Sequence, residues 1–187
     1  SSIFLSTFAI DRTSDGERTS VLFLRSGAFL EPVQGVLVDS ETFIERLAGE
    51  FGYDPTRFVV QHQAIARLER AIDPRDRVSM VSSASPLRLL WAARFDIPKR
   101  LDILAQVAAE IRRRDLPVEV EVYGKSVMGD PKTSAALAQL RAAGAKVRPA
   151  YLAADGLPTA EFDVFLMTSE WEGVPSTLLE AMAAGLP

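Results

Sequence analysis

Two carboxylates eight positions apart, Glu172 and Glu180, flank the turn Gly173-Val174-Pro175-Ser176-Thr177 near the end of the chain. The pattern reads as a strand exit, a glycine-containing turn and a helix begun through Pro175, Ser176 and Thr177. The first backbone N–H groups of a helix have no partner within it, so such a start attracts anions by geometry and by dipole. A second pair, Arg94 and Lys99, follows an earlier apolar run, five positions apart. Two cations at such a place suit a diphosphate, Arg as a planar fork and Lys as a mobile point charge. Gly124 stands at a third strand exit, where the missing Cβ lets a ligand approach the backbone. Each feature also has a plainer reading. Thr177-Leu178-Leu179-Glu180 fits a capping box, in which Glu180 folds back on the N-cap amide. Glu172 reads as an exposed loop carboxylate, Arg94 and Lys99 as two solvated charges, and Gly124 as a turn glycine. Taken one at a time, the plainer readings come first.

The elements that would hold these residues follow from the periodicity. Residues 3–10 and 21–25 are strand-like apolar runs joined by a polar stretch with Asp15-Gly16, which allows a loose hairpin. Residues 35–39 form a short buried-type strand. Ser40 then suits an N-cap for a helix with Phe43, Ile44, Leu47 and Phe51 on one stripe, stopped near Gly52. Residues 57–61 are another strand, and 61–86 is a mixed segment that suits a linker or domain edge. From Leu87 the alternation is regular: strand 87–92, helix 98–113, strand 118–123, helix from Asp130-Pro131 to Gly144, strand 146–148, strand 162–167, helix 177–184. Strands alternating with helices on short connections predict an α/β fold with a Rossmann-like parallel sheet covered on both faces. Ligands bind beyond the carboxyl ends of such strands, where all the residues named above fall.

Composition narrows the chemistry. With 48% hydrophobic and 25% charged residues the chain can bury a core, and no apolar run approaches a membrane span. A net charge of −4 gives no broad attraction for nucleic acid. There is no cysteine, which removes disulfides, thiolate catalysis and thiolate metal sites. The single histidine, His62, rules out a two-histidine zinc motif and reads as a surface residue. No Gly-x-Gly-x-x-Gly and no P-loop pattern occurs, which leaves dehydrogenase and P-loop readings without their main support.

In combination, Arg94, Lys99, Gly124 and Glu172-x7-Glu180 opening Ala181-Met182-Ala183-Ala184-Gly185-Leu186-Pro187 resemble the C-terminal domain of retaining GT-B glycosyltransferases. The closest group is the large glycosyltransferase family 4. The resemblance covers about 87–187 and, more faintly, 35–61. It implies a residue 1–56 remnant of an N-terminal domain and crossing segment, followed by a 57–187 nucleotide-sugar-binding domain. It implies that Arg94 and Lys99 hold the donor diphosphate and that Glu172 meets the donor sugar hydroxyls. Gly173, Val174, Pro175, Ser176 and Thr177 would present amides to sugar and phosphate, Gly124 would line the site, and Glu180 would accept from the ribose hydroxyls. Arg94, Lys99 and Glu172 would be the catalytic set, with no metal and no cofactor beyond the nucleotide-diphosphate sugar itself. The implied partners are that donor, a saccharide or lipid-linked acceptor and an N-terminal GT-B domain. The implied location is cytoplasmic, peripheral to the inner membrane face. The family usually has Gly before the Arg and after the Lys, where this chain has Ala93 and Arg100. A glycine common in its fourth-strand region is missing around 147–150. These departures bear on base contacts and donor identity.

The chain starts without Met and stops at Gly185-Leu186-Pro187, where a further strand is expected. The expectation is therefore a piece of a longer protein, able to bind donor but transferring sugar poorly or not at all by itself. The alternative function is a non-catalytic Rossmann-like binding module that keeps the motif as a capping box. A GT-B-fold nucleotide-sugar epimerase fits less well, because the paired glutamates argue against it.

Overall fold

The computed structural model describes residues 34–65, 81–126, 129–151, 156–170, 172 and 174–187. The runs at 3–10 and 21–25 with their expected hairpin, residues 66–80 of the mixed segment, and Gly173 lie outside the described residues. The chain divides into two compact units, Ser1–Ala64 with Glu172–Val174, and Ile65–Trp171 with Pro175–Pro187. No helix among the described residues is long and apolar enough to cross a membrane.

In the first unit, β1 (Val36–Val38) leads into α1 (Glu41–Phe51) and returns as β2 (Phe58–Val60), parallel to β1. The Ser40 hydroxyl accepts from the Phe43 N–H at 3.3 Å, and Gly52 closes α1 at φ 69°. Both caps follow the sequence signals, because serine offers an acceptor and only glycine takes a left-handed φ without strain. Val36, Val38, Leu47 and Phe58 form the core of this unit, with Phe43, Ile44 and Phe51 against them. His62 follows β2 and is exposed.

The second unit is a four-stranded parallel sheet in the order β5-β4-β3-β6, built from β3 (Leu87–Ala92), β4 (Val118–Tyr123), β5 (Lys146–Arg148) and β6 (Val164–Phe165). Among the described residues three helices accompany it: α2 (Leu101–Arg113), α3 (Pro131–Ala142) and α4 (Ser176–Ala183). Odd-numbered Leu89 and Trp91 join Val120 and Val122 under Leu101, Leu104 and Ala108 of α2 and Ala136 and Leu140 of α3. Even-numbered Leu90 and Ala92 face the other way, against Leu157, Phe162, Phe165 and Ala181 of α4. β3 is therefore the central strand, buried on both faces from Leu89 to Ala92.

The expected parallel sheet is present, with apolar clusters on both faces of β3. On the second face β4 and β5 carry charge instead: Glu121, 3% exposed, accepts from Arg148 Nε at 3.0 Å and lies near Lys146 Nζ (3.6 Å) and Arg88 Nη2 (3.5 Å). Burial pushes the Glu121 carboxyl up, but the Arg148 hydrogen bond and the three cationic charges outweigh it and hold the group below the usual carboxylate range. A depressed carboxylate contributes stability above its unfolded-state pKa and loses it as pH falls through the folded value. Glu121→Gln is accordingly expected to destabilise the chain by about 1–3 kcal/mol at pH 7, since it leaves clustered cations unpaired. The difference from wild type should shrink below about pH 4, as urea midpoints measured across pH would read. A midpoint gap that does not change with pH would sink this assignment.

Two element boundaries differ from the periodicity. The helix expected over 98–113 splits into a 3-10 turn, Ile97–Lys99, and α2, because Arg100 between them stands at φ 50°, ψ 53°. The strand expected over 162–167 is paired only at Val164–Phe165; Phe162 is fully buried just before it.

Candidate functional site

The crossover direction reverses between β3 and β6, since β4 and β5 lie on one side of β3 and β6 on the other. This is a topological switch point, and the crevice beyond these carboxyl ends is where open α/β sheets bind ligands. Arg94 and Lys99 come from the loop after β3, Gly124 from the loop after β4, and Thr168 through Glu170 from the loop after β6.

The first two loops are laced together. Ala93 N–H donates to Tyr123 O at 3.1 Å, Phe95 N–H donates to Lys125 O at 2.9 Å, and Phe95 bridges Ser126 in parallel. Gly124 sits at the crossing. A Cβ there would lie 2.1 Å from Ala93 O and 2.6 Å from Phe95 Cε1. Its glycine is required by the neighbouring loop of the chain itself, which is a different reason from the ligand approach expected of it. Arg94 extends into solvent, 66% exposed, with Nη2 3.3 Å from Asp96 Oδ2. Asp96 is mostly buried, and its Oδ1 has no hydrogen-bond partner.

Lys99 ends the 3-10 turn, half-buried, and its carbonyl accepts from the Thr168 hydroxyl at 2.7 Å. Glu170 N–H donates to Pro98 O at 2.8 Å, and Arg100 Nη1 lies 4.0 Å from Glu170 Oε2. Arg100 occupies the position after the lysine where the resembling family usually has glycine. The left-handed φ explains that preference, and Arg100 holds it while its guanidinium makes two hydrogen bonds to Asp102, at 2.9 and 2.8 Å.

α4 supplies the last part. Its N-cap is Pro175, whose side chain makes no capping hydrogen bond. The capping box read from Thr177 to Glu180 is not formed. A proline N-cap at ψ 89° starts the helix two residues earlier than the box requires, at Ser176. Glu180 turns elsewhere: its Oε2 is buried without a partner, while the Leu157 amide and the Tyr151 phenol are its neighbours. Burial pushes the Glu180 carboxyl up and the Leu157 N–H pulls it back only in part. Burial likewise raises the Tyr151 phenol, and the Glu180 charge adds to it. Ser176 and Thr177 occupy the first turn of α4 and are half-buried.

Arg94, Lys99, Gly124, Pro175, Ser176, Thr177 and Glu180 all belong to the second unit; the first three lie on the laced loops after β3 and β4, and the rest on α4 and its N-cap. Glu172 and Val174, both half-buried, belong to the first unit, and Gly173 lies outside the described residues. Sequence reasoning missed Asp96, Tyr151 and Thr168. Thr168 alone had a signal, a hydroxyl residue directly after an apolar strand run. Tyr151 and Leu157 come near Glu180 only through tertiary packing.

Three comparisons bear on this arrangement. The family model for glycosyl transferases group 1 matches residues 86–187, more than half of the chain. A search of curated proteins finds no match. Among solved structures, a Staphylococcus aureus TarM variant in complex with fondaparinux, alpha-GlcNAc-glycerol and UDP superposes with a TM-score of 0.73 at 16% identity, covering 98% of this chain and 35% of that one. The pneumococcal O-GlcNAc transferase GtfA with UDP and GlcNAc gives 0.69 at 16% identity, over 100% of this chain and 36% of that one. Anabaena Alr3699/HepE with UDP and glucose gives 0.72 at 16% identity, over 100% and 51%. The chain therefore spans about a third to a half of these structures. At such identities the likeness is one of fold, and the fold is that of GT-B glycosyltransferases, the sheet of the second unit matching their C-terminal domain. From the family model over residues 86–187 and this architecture together, the chain belongs to the group 1 glycosyl transferases.

Proposed function

We propose that the chain is the donor-binding half of a retaining glycosyltransferase that uses a nucleotide-diphosphate sugar. The observation that carries the reading is the Glu180 carboxyl group, one oxygen buried and unbonded, on the helix that begins at Ser176 after Pro175. A ligand that satisfies both features brings hydroxyl donors and negative charge in one molecule. A nucleotide does so, with its ribose and its diphosphate.

On this reading the ribose hydroxyls donate to Glu180, and the diphosphate is met by Arg94, Lys99 and the α4 amides. Gly173 and Val174 would add amides for sugar and phosphate, and Glu172 would receive the sugar hydroxyls. When the bond from the anomeric carbon to the diphosphate breaks, its electron pair leaves on the phosphate oxygen. Cations and amides already in place there lower the barrier by stabilising that charge. Arg94 and Lys99 supply this without a metal ion. The acceptor is a saccharide or a lipid-linked sugar, met from an N-terminal GT-B domain, in the cytoplasm or at the inner membrane face. TarM, GtfA and HepE were each solved with UDP, which makes UDP the first nucleotide to test and GDP the second.

Calorimetric titration tests the reading. Arg94→Ala should weaken binding of the preferred nucleoside diphosphate about tenfold or more, about 1.4 kcal/mol for one lost charge-assisted contact. Glu172→Ala should leave that affinity within about twofold while weakening the matching nucleotide sugar about tenfold, since only the sugar would reach it. A folded chain that binds neither UDP nor GDP would support a non-catalytic module instead.

A further inference from the structure

The crevice at a switch point is ordinarily open between the two strands that define it, yet here hydrogen bonds span it. Trp91, 2% exposed in β3, directs its indole Nε1–H to Thr168 Oγ1 at 2.9 Å, and Thr168 Oγ1 lies 2.7 Å from Lys99 O. The direction of this chain of bonds is fixed by chemistry. An indole N–H only donates and a carbonyl only accepts, so the one hydroxyl proton of Thr168 must go to Lys99 O. The neighbouring carbonyl, Pro98 O, is held from the same loop by the Glu170 N–H at 2.8 Å. Two successive carbonyls of the Ile97–Lys99 turn are thus gripped by the β6 exit, immediately before Arg100 at φ 50°. A non-glycine residue in the left-handed region persists only where its surroundings over-determine it. Without the grip, the peptide joining Lys99 to Arg100 is left with the Arg100 N–H bond to Ile97 O at 3.1 Å.

We propose that Thr168, anchored by Trp91, is a positioning residue that sets the Lys99 turn for the second phosphate of a nucleoside diphosphate. The inference rests on the nucleotide-sugar reading above. It assigns no contact between Thr168 and ligand. The hydroxyl acts through the Lys99 backbone, which determines the origin from which the lysine side chain reaches the phosphate. The effect belongs to the second phosphate, so a nucleoside monophosphate should not sense it.

The test compares the preferred diphosphate, UDP or GDP, with its monophosphate by titration of the full chain, alongside thermal melts. Thr168→Val, nearly isosteric but without the hydroxyl, should weaken the diphosphate about tenfold and the monophosphate less than twofold, the scale of one misplaced charged contact. Thr168→Ser should restore the diphosphate affinity. Trp91→Phe keeps the Thr168 hydroxyl but removes its anchor, and should show the same split at smaller size. If Thr168→Val binds both nucleotides as wild type does, the proposal is overturned. It is overturned equally if both affinities fall together with the melting temperature, or if neither Thr168→Val nor Trp91→Phe folds, for then the bond is structural only. A folded wild-type chain that binds no nucleotide brings down the nucleotide-sugar reading itself, and the positioning role with it.

Discussion

Gly124→Ala is expected to destabilise the second unit by about 3 kcal/mol, a fall in melting temperature of roughly 10 °C for a chain of this size. The added methyl would sit 2.1 Å from Ala93 O, 2.6 Å from Phe95 Cε1 and 3.0 Å from Phe95 Cδ1. None of these atoms is a flexible side-chain end. Ala93 is held by its N–H bond to Tyr123 O, and the Phe95 ring is buried with its centroid 6.1 Å from that of Trp91. Relief therefore requires moving the β3 exit loop as a whole, which breaks the Phe95 N–H bond to Lys125 O and carries Arg94 with it. Nucleotide affinity should fall at least tenfold in the same variant, on the scale of one displaced charged contact. Urea unfolding followed by titration measures both. A Gly124→Ala chain within about 0.5 kcal/mol of wild type would show that the crossing is looser than these distances state.

Glu180→Gln is expected to act in opposite directions on stability and on binding. In the free chain the buried Oε2 has no partner, and burial holds the carboxyl above its ordinary range. A group whose folded pKa is raised favours the folded state most when protonated. That advantage is present at low pH and is lost as pH rises through the unfolded and then the folded pKa. Above that range the charged carboxylate is therefore a liability, and the neutral isostere removes it. The gain should be about 1 kcal/mol, reduced from the full cost of a buried unpaired group because Glu180 is only half-buried and the Leu157 amide serves it in part. The same change should weaken nucleoside diphosphate binding about tenfold, since charge-assisted bonds to the ribose hydroxyls are lost. Melting temperature without ligand, up by a few degrees, and its ligand-induced shift, diminished, read the two effects separately. A variant both less stable and unchanged in binding would mean that Glu180 supports the helix.

The sequence carried the order of elements well because the chemistry of their ends is local. Ser40, Gly52 and Asp130 cap where serine, glycine and aspartate should, Asp130 Oδ2 accepting from the Thr133 N–H at 2.8 Å. The parallel sheet followed from strand–helix alternation, and the family from the motif spacing around Glu172 and Glu180. What failed was non-local. Arg100 gave no sign of a left-handed backbone, so the Lys99 turn and α2 read as one helix. The Thr177–Glu180 capping box was a correct local pattern overridden by Pro175, which takes the N-cap position itself. The charged ladder around Glu121 had no signal in the alternation of β4, and only the register with β5 brings Lys146 and Arg148 to the buried carboxylate. The role of Gly124 depends on a loop from a different strand, which no local spacing encodes.

The strand order has a consequence for how the molecule is made. The pairing of β3 with β4 begins at Leu87 and Val118 and is repeated by β4 with β5, each link closed over a single intervening helix. β6 must instead return to β3 from Val164 to Leu89, past everything between. Chain-closure entropy makes such a distant pairing slow and late, so the β3–α2–β4 piece is the natural nucleus and β6 the last strand to dock. The short, two-residue β6 and its exit loop are also the natural place for the native state to open first. Hydrogen exchange should find the amides of Leu166 and Glu170 opening well below the global unfolding energy, and those of Trp91 and Val122 at it. The crevice would then be the last part of this unit to assemble and the part most readily stiffened by whatever binds there.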